Sequence, residues 1–413
     1  MRSNKIGLAL SGGGYRAAIY HIGTFRALRK LGVLNKIDVI STNSGGSITG
    51  ACYSLYHKDY DKFEKTILDG VKKSVIKSIV TSWRFYLPTF IAISSLFFGV
   101  FLMFTTYAWI SLIILISVLT VILLFQFQLI PIGQLIERAY SKIFFGDTTL
   151  KDFSSDFQTT INSTNLESGI LFSFSKEKMS DSTYDYIRDK DGNSNRVDTF
   201  RSDDFPVARA VVASSSVPGA FTPVLIDKEF YLDQKRYGKI NPRLVDGGVY
   251  DNQGVHKLTF KKSSSKCRYV LVSDAGRKFP FEKKFNNSLA VLIRTSSIFM
   301  NRIKKFQMMD HLYTPDNPNK SIVAYQALVF DLDYSFGEFI KMLKAGDIHK
   351  EVITSHGINT QDINDKKWDE IESLVKSQIG YDEILVSGCT EAELKIAREV
   401  KTNLKSLKEQ EVE

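Results

Sequence analysis

Short apolar runs and helical stripes alternate along the first part of the chain. Ile6–Leu10 is an apolar run bounded by turn residues, which predicts a buried parallel strand. Tyr15–Leu31 carries apolar residues at helical spacing and stops at Gly32, and Val39-Ile40 predicts a second strand. This alternation predicts an α/β fold with a mostly parallel central sheet and helices on its faces.

The later apolar runs continue the pattern less regularly. Strands are predicted at Thr159–Ile161, Ile170–Phe174, Phe230–Leu232, Leu244-Val245 and Tyr269–Ser273, and a helix at Val207–Ala213. From about Phe281 onward the pattern is mostly helical.

One segment departs from this pattern, because no Asp, Glu, Lys, Arg or His occurs between Phe85 and Ile136. A transmembrane helix needs about 20 apolar residues, so the segment is long enough for two. We predict spans at Pro88–Phe104 and Ala108–Ile130, joined by a turn at Thr105–Tyr107. Two alternatives are a helical hairpin buried in a soluble core and a re-entrant hairpin that enters one leaflet.

Basic residues flank this segment on both sides and are absent from the predicted turn. They are Lys72, Lys73, Lys77 and Arg84 before it, and Arg138, Lys142 and Lys151 after it. Positive charge favours the cytoplasmic side of a membrane. The pattern therefore predicts a two-pass protein of the cell membrane with both flanks and both termini in the cytoplasm.

Composition and charge limit the classes of molecule that the protein is expected to bind. The chain has 413 residues, with 54 Lys and Arg against 45 Asp and Glu, and a net charge of +9. The basic residues are spread along the chain among acidic ones, so we expect no nucleic acid and prefer attraction to anionic lipid. Cys52, Cys267 and Cys389 lie far apart, which argues against a disulfide framework or a cysteine zinc site.

Three consecutive glycines lie between the first strand and the first helix. Gly12, Gly13 and Gly14 allow backbone N–H groups to point into one small volume beside a helix N-terminus, which suits developing negative charge. A dinucleotide-binding loop is an alternative. That loop needs an acid at the end of the next strand, whereas Asp38 precedes the strand.

A second turn, Thr42-Asn43-Ser44-Gly45-Gly46, joins the second strand to a helix. A serine on a sharp strand-to-helix turn is aimed at the pocket above the sheet and needs small neighbours. Thr42 stands where the usual motif has glycine. The alternative for Ser44 is a helix N-cap. Ser214–Ser216 lack a strand–turn–helix setting, and we interpret them as structural.

A carboxylate occupies a comparable position later in the chain. Asp246 follows Leu244-Val245 and precedes Gly247 and Gly248, which places it at a strand end with open backbone around it. None of the six histidines lies in a setting that suits a catalytic triad, and His21 is expected to have a packing role. The alternative for Asp246 is an ordinary turn aspartate.

The order of glycine triplet, serine turn and Asp-Gly-Gly resembles the patatin-like phospholipase family of serine acyl hydrolases, which use a Ser–Asp dyad. Further similar blocks lie at His21–Leu28, Asn162–Gly169, Ala213–Phe221 and Asp246–Asn252. The resemblance covers about residues 5–84 and 150–275. It implies a three-layer sandwich around a mostly parallel sheet, interrupted here by the transmembrane hairpin.

This resemblance also implies roles for the motif residues. Asp246 takes the proton from Ser44, and the Ser44 alkoxide attacks an ester carbonyl. The N–H groups of Gly12–Gly14 hold the oxyanion, and Arg16 helps to orient their loop. No metal or cofactor is implied.

The predicted protein is thus a membrane-anchored lipid acyl hydrolase that acts on membrane phospholipid. Its regions are a first catalytic part (1–84), the hairpin (85–133), a second catalytic part (134–280) and a mostly helical C-terminal region (281–413). The alternatives are an esterase or lipase on neutral lipids or acyl conjugates, and a catalytically idle patatin-fold membrane scaffold.

Overall fold

The computed structural model describes residues 4–188, 194–196, 198–219, 221–277, 287–313, 320–327, 331–378, 400 and 405–412. The chain forms two compact units. The larger unit holds the elements up to residue 326, and the smaller unit holds the helices of residues 331–378.

A mixed sheet organises the larger unit. Its strands are β1 (Ile6–Leu10), β2 (Val39–Asn43), β3 (Gln158–Asn165), β4 (Leu171–Phe174), β5 (Met179–Ser180), β8 (Val224–Leu225), β9 (Arg243–Asp246), β10 (Tyr269–Asp274) and β11 (Ile322–Ala327), while β6 (Tyr186–Arg188) and β7 (Ser194–Arg196) pair separately. The order is β11-β10-β1-β2-β3-β4-β5, with β9 paired to β3 and β8 to β9. The central strands β10, β1, β2 and β3 are parallel, and β4 and β9 are antiparallel to β3. The predicted α/β class is confirmed.

Helices connect and cover these strands. In the larger unit they are α1 (Gly14–Lys30), α2 (Gly45–Tyr56), α3 (Tyr60–Val71), α4 (Val75–Val80), α5 (Trp83–Leu102), α6 (Ala108–Leu129), α7 (Ile132–Tyr140), α8 (Val207–Ser215), α9 (Gly248–Asp251), α10 (His256–Thr259) and α11 (Ser288–Tyr313). The smaller unit contains α12 (Asp331–Ala345), α13 (Lys350–Ser355), α14 (Thr360–Asn364) and α15 (Trp368–Gln378). A short helix at Glu409–Val412 belongs to the larger unit.

The central strands are buried because helices cover both of their faces, and β1 is apolar along most of its length. Leu258 of α10 packs in one cluster with Ala9 and Val39, whereas Gly50 of α2 lies against Ile40 on the opposite face. Strands that are buried on both sides form continuous apolar runs, which is why the short run at β1 was recognisable in the sequence.

The apolar hairpin α5–α6 contrasts with this core. The two helices approach closely at Gly99, whose carbonyl accepts a hydrogen bond of 2.6 Å from the Ser111 hydroxyl. Most of their large apolar side chains are exposed. Residues 83–102 and 108–125 are long and apolar enough to cross a membrane, by length and composition alone.

Two sequence predictions need correction. The first hairpin helix begins at Trp83, before the predicted start at Pro88, so the proline lies inside the helix and Arg84 in its first turn. The predicted strand at Phe230–Leu232 is instead a 3₁₀ turn, Lys228–Phe230, followed by a single bridge from Tyr231 to Phe200. Aromatic packing of Phe200 against Tyr231 explains why apolar residues lie there without a continuous strand.

Candidate active site

The register of β3 brings two strand ends together. Asn43, the last residue of β2, lies opposite Asn162 of β3. Asp246, the last residue of β9, lies opposite Ser163, the next residue along β3. Because β2 is parallel to β3 and β9 is antiparallel to it, the two strands end at the same point from opposite directions. Ser44 and Asp246 therefore meet although about 200 residues separate them in the sequence.

Ser44 occupies a strained turn between β2 and α2. Its backbone angles are φ 46° and ψ −120°, in a region that non-glycine residues seldom adopt. The Ser44 N–H donates to the Ser214 hydroxyl at 2.8 Å. No side-chain capping bond is made by Ser44 to the helix, so the N-cap alternative does not describe its role in this structure. Such strain is typical of a nucleophile held at a turn.

Asp246 lies beside the Ser44 hydroxyl, which favours the charged form of its carboxylate. The Asp246 Oδ1 atom accepts the Gly248 N–H at 2.7 Å. Burial raises the pKa of Asp246 to about 6, and the Gly248 N–H and the Ser44 hydroxyl oppose the rise because they favour the charged form. The carboxylate is thus a stronger base than an exposed aspartate while remaining mostly charged at neutral pH.

The two glycines after Asp246 make this geometry sterically feasible. A Cβ at Gly248 would stand 2.9 Å from the Asp246 Oδ1 atom that its own N–H binds. A Cβ at Gly247 would collide with the Asn43 side chain and lie 2.6 Å from the Asn162 carbonyl oxygen. The Asn43 amide in turn donates to the Asp251 carbonyl, so it connects the serine turn to the Asp-Gly-Gly segment.

The glycine loop packs directly on the serine turn. A Cβ at Gly45 would collide with the backbone of Gly14 and stand 2.7 Å from its nitrogen, and one at Gly46 would stand 2.6 Å from the carbonyl oxygens of Leu10 and Ser11. Gly13 has φ 145°, which a side chain would strain. The small residues at both turns therefore allow two backbone segments to touch.

The three loop N–H groups have different partners. Gly12 donates to the Asn252 carbonyl at 2.9 Å. Within the part of the chain that the structure describes, the N–H groups of Gly13 and Gly14 donate to no protein acceptor. Arg16 is buried, and its Nε donates to the Ala275 carbonyl at 3.1 Å, which ties the first turn of α1 to the end of β10.

A chain of hydroxyl groups supports the serine turn from below. The Thr42 hydroxyl donates to the Thr160 carbonyl at 3.1 Å and lies 3.0 Å from the Ser47 hydroxyl, which lies 2.9 Å from that of Ser214. Because a carbonyl only accepts, the donor direction is fixed along the chain: the Ser44 N–H donates to Ser214, Ser214 to Ser47, and Ser47 to Thr42. Thr42, the departure from the usual glycine, ends this chain.

The histidines lie elsewhere among the described residues. His21 is fully buried, with Nε2 2.9 Å from the Ser11 carbonyl oxygen and Nδ1 2.8 Å from the Ser273 hydroxyl. Burial lowers its pKa to about 4, so the ring is neutral, and Nε2 must carry the proton that the carbonyl accepts. His256 packs between the rings of Tyr250 and Phe260. His21 thus has the packing role expected from the sequence.

The family model described as patatin-like phospholipase matches residues 8–259 of this sequence. The chain belongs to the patatin-like phospholipase family. The matched range contains the glycine loop, Ser44 and Asp246, and the family assigned from motif order is confirmed. The predicted enzyme class, a patatin-family serine acyl hydrolase, is confirmed with it.

Other comparisons are more distant. No curated protein matches the sequence. The structure of human GIVD cytosolic phospholipase A2 matches at 14% identity with a TM-score of 0.44, over 79% of this chain and 51% of that one. The patatin-family chain therefore spans about half the length of that protein. VipD from Legionella pneumophila matches at 11% identity with a TM-score of 0.31, over 96% of this chain and 83% of that one.

The structure brings together the glycine loop, the serine turn and the Asp-Gly-Gly segment predicted from the sequence, and it adds two side chains. Ser214 was interpreted as structural only, yet it accepts the N–H of Ser44. Asn252 lies against Gly12 and Gly248 between the loop and the Asp-Gly-Gly turn. No local signal marks Ser214, because its partner lies 170 residues earlier. Asn252 lies inside a recognised block, but its contacts depend on the fold.

Proposed function

We propose that this patatin-family protein hydrolyses carboxylic esters of membrane phospholipids through a Ser44–Asp246 dyad. The observation that carries the proposal is the position of the Ser44 hydroxyl beside the buried Asp246 carboxylate, at a strained turn. The loop N–H groups of Gly13 and Gly14, which donate to no acceptor among the described residues, lie next to this turn. That arrangement supplies a nucleophile, a base and an oxyanion site within one small volume.

The reaction follows from these positions. Asp246 takes the Ser44 proton as the serine oxygen attacks the ester carbonyl, and the oxyanion is held by the N–H groups of Gly13 and Gly14. Collapse of the intermediate expels the alcohol, which receives the proton from Asp246. Asp246 then deprotonates a water molecule that attacks the acyl-serine. The fatty acid leaves and the proton returns to Ser44.

Gly12 has a different part in this scheme. Its N–H already donates to Asn252, so it supports the loop instead of holding the oxyanion. Arg16 has a similar supporting role through its bond to Ala275. The sequence predicts all three glycines as oxyanion donors. With the Gly12 N–H already engaged, we assign this role to Gly13 and Gly14.

We also propose that α5 and α6 form a two-pass anchor in the cell membrane. The rest of the larger unit, which we call the catalytic body, would then lie on the cytoplasmic side. The exposed apolar surface of both helices and the basic residues on both flanks support this topology. An anchor keeps the dyad at the bilayer surface, so a phospholipid must leave its leaflet only in part to reach Ser44.

Two experiments test these proposals separately. A fluorophosphonate probe should label the wild-type protein and not Ser44→Ala, and lipid mass spectrometry should detect lysophospholipid and fatty acid after expression of the active form only. For the anchor, the protein should stay with membranes after carbonate extraction, and tags at residues 1 and 413 should both report the cytoplasm. A soluble wild-type protein would contradict the anchor without affecting the dyad.

The same experiments address the alternatives. An esterase or lipase on neutral lipids would be labelled by the probe but would leave phospholipid masses unchanged. A catalytically idle scaffold would not be labelled at all. The position of Ser44 beside the buried Asp246, whose pKa is raised to about 6, favours an active enzyme over the scaffold.

A further inference from the structure

The long helix α11 is fixed against the candidate active site by its inner face. The Met300 methyl carbon lies 3.2 Å from where a Cβ at Gly248 would stand. Lys304 forms an ion pair of 2.8 Å with Asp274, the last residue of β10; the Asp274 side chain is buried and that of Lys304 is 13% exposed. Asp274 also accepts the Gln253 side-chain amide at 2.9 Å. These contacts hold α11 beside the turn that carries Asp246.

The outer face of α11 is apolar and exposed. Leu292, Phe299 and Phe306 follow one another at intervals of seven residues, so they form one stripe, and they are 62%, 60% and 58% exposed. Ile298 and Met309 extend the stripe on one side and are also exposed. A helix on the surface of a soluble protein normally turns such a stripe toward the core.

Charge indicates what covers this face. The α11 sequence contains Arg294, Arg302, Lys304 and Lys305 but only one acidic residue, Asp310. Arg302 and Lys305 are exposed next to the apolar stripe, and Arg302 stacks over the Phe306 ring. An apolar stripe bordered by cations fits the boundary between anionic head groups and acyl chains. A second copy of the chain would present the same positive charge to it.

We propose that the outer face of α11 docks on the anionic leaflet of the bilayer and presses the active site against its substrate surface. This docking is separate from the hairpin anchor. Only its effect on catalysis rests on the proposed function; the contact of α11 with the bilayer does not. The hairpin keeps the enzyme on the membrane, and α11 orients it, because the same helix contacts lipid on one face and the Asp246 turn on the other.

One experiment measures docking by rate. The full-length protein is reconstituted in vesicles of phosphatidylcholine alone or mixed with phosphatidylglycerol. Arg302→Gln combined with Lys305→Gln should lower phosphatidylcholine hydrolysis about thirtyfold in mixed vesicles, since each of the two cations near an anionic surface contributes about 1 kcal/mol. The rate in pure phosphatidylcholine should not change. Lys261→Gln with Lys262→Gln, an equal charge change at two exposed lysines of the catalytic body, is the matched control.

A second experiment measures position without using activity. Phe299→Cys in a Cys389→Ser background is labelled with bimane, because the other cysteines, Cys52 and Cys267, are buried. We expect a blue-shifted emission in mixed vesicles and an emission close to that in water in detergent. Leu232→Cys, exposed to 57%, serves as the control site and should stay aqueous in both.

The outcomes separate this inference from the proposed function. A label that stays aqueous in mixed vesicles overturns docking even if the enzyme hydrolyses phospholipid. A label whose emission is blue-shifted in detergent as well means that another part of the chain or a second copy covers this face. That result also overturns docking, whether or not the emission depends on protein concentration. A shift specific to mixed vesicles supports docking even if no lipid is cleaved.

Discussion

Leu8 and Leu10 of β1 are fully buried, whereas Phe97 and Leu124 of the hairpin are 73% and 69% exposed. The same residue types thus face opposite surroundings in two parts of one chain. In the catalytic body, strands covered by helices support a group of buried polar residues, many of which hydrogen-bond to one another. In the hairpin, each helix satisfies its backbone hydrogen bonds internally, and the two helices contact mainly each other. Their remaining apolar surface is exposed and is poorly solvated by water.

This difference indicates where each region obtains its stability. The catalytic body relies on internal packing, so a methyl group added at the glycines that follow Ser44 and Asp246 has no space to occupy. The hairpin has one tight internal contact, at Gly99 and Ser111, and otherwise depends on an apolar environment that we propose is lipid. Changes in the first region should therefore act on chemistry, and changes in the second on access to substrate.

The dyad is where the largest loss is expected. Ser44→Ala and Asp246→Asn should each lower turnover of a soluble ester by about 10⁴-fold or more, because the nucleophile and its base act as one unit. The measurement is steady-state hydrolysis of a p-nitrophenyl ester. His256→Gln and His311→Asn are the controls and should keep most activity. A folded histidine variant as inactive as Ser44→Ala would contradict the dyad.

Removal of the hairpin tests the contrast between the regions directly. Replacing residues 83–130 by a flexible linker should leave hydrolysis of the soluble ester unchanged, since the dyad and glycine loop lie outside it. Hydrolysis of phospholipid in vesicles should fall about a hundredfold because the enzyme loses its high effective concentration at the surface. The deletion ends before α7, whose Gly133 N–H donates to the Thr222 hydroxyl of the catalytic body at 2.9 Å.

Equal survival of both activities in that variant would mean that the hairpin does not deliver substrate. Equal loss of both would mean that it supports the fold of the catalytic body. Circular dichroism of the purified variant distinguishes the second case from a simple loss of access.

Local sequence patterns are sufficient to predict most of the strands, helices and motif residues around the candidate site. The glycine triplet, the serine turn and Asp-Gly-Gly each lie beside an apolar strand, so their elements were predicted within a few residues. The limits of α5 were less visible, because Pro88 suits a first helical turn but is tolerated inside the helix at its sixth position.

Long-range contacts were not predictable. The meeting of Ser44 and Asp246 depends on β2 and β9 ending at neighbouring residues of β3, and strand register is set by packing that no local pattern records. The bond from Ser44 to Ser214 and the bond from the Gly12 N–H to the Asn252 carbonyl likewise join residues that are far apart in the sequence. The sequence therefore identified the motif residues but not which N–H groups remain available.

Contact between the glycine loop and the serine turn is tested by Gly45→Ala. The added methyl would stand where the Gly14 backbone lies, so it should displace a proposed oxyanion donor. Loss of one donor lowers turnover by about a hundredfold or more. Gly23→Ala is the matched control, because a Cβ there meets no atom within 4 Å and the change should only favour helix α1. Unchanged turnover in a folded Gly45→Ala protein would remove the loop from the mechanism.

The pH dependence tests the protonation state of the base. Burial raises the pKa of Asp246 to about 6, and only the charged carboxylate can accept the serine proton. For an uncharged ester, kcat/KM should therefore fall about tenfold between pH 7 and pH 5. A profile that stays flat down to pH 4 would show that the Asp246 carboxylate titrates as an exposed one does, and the base would then need another assignment.

The smallest expected effect belongs to the hydroxyl chain beneath Ser44. Thr42→Val keeps the shape of the side chain but leaves the Ser47 proton without its acceptor, which should lower the free energy of unfolding by about 1–3 kcal/mol. Because that chain ends on the Ser44 N–H, we expect kcat to fall about fivefold, equivalent to about 1 kcal/mol, with KM unchanged. Thr42→Ser keeps the hydroxyl and loses only the methyl that packs on Gly50, so it should lose stability yet retain kcat. If both variants lose kcat equally, the methyl and not the hydroxyl positions the turn.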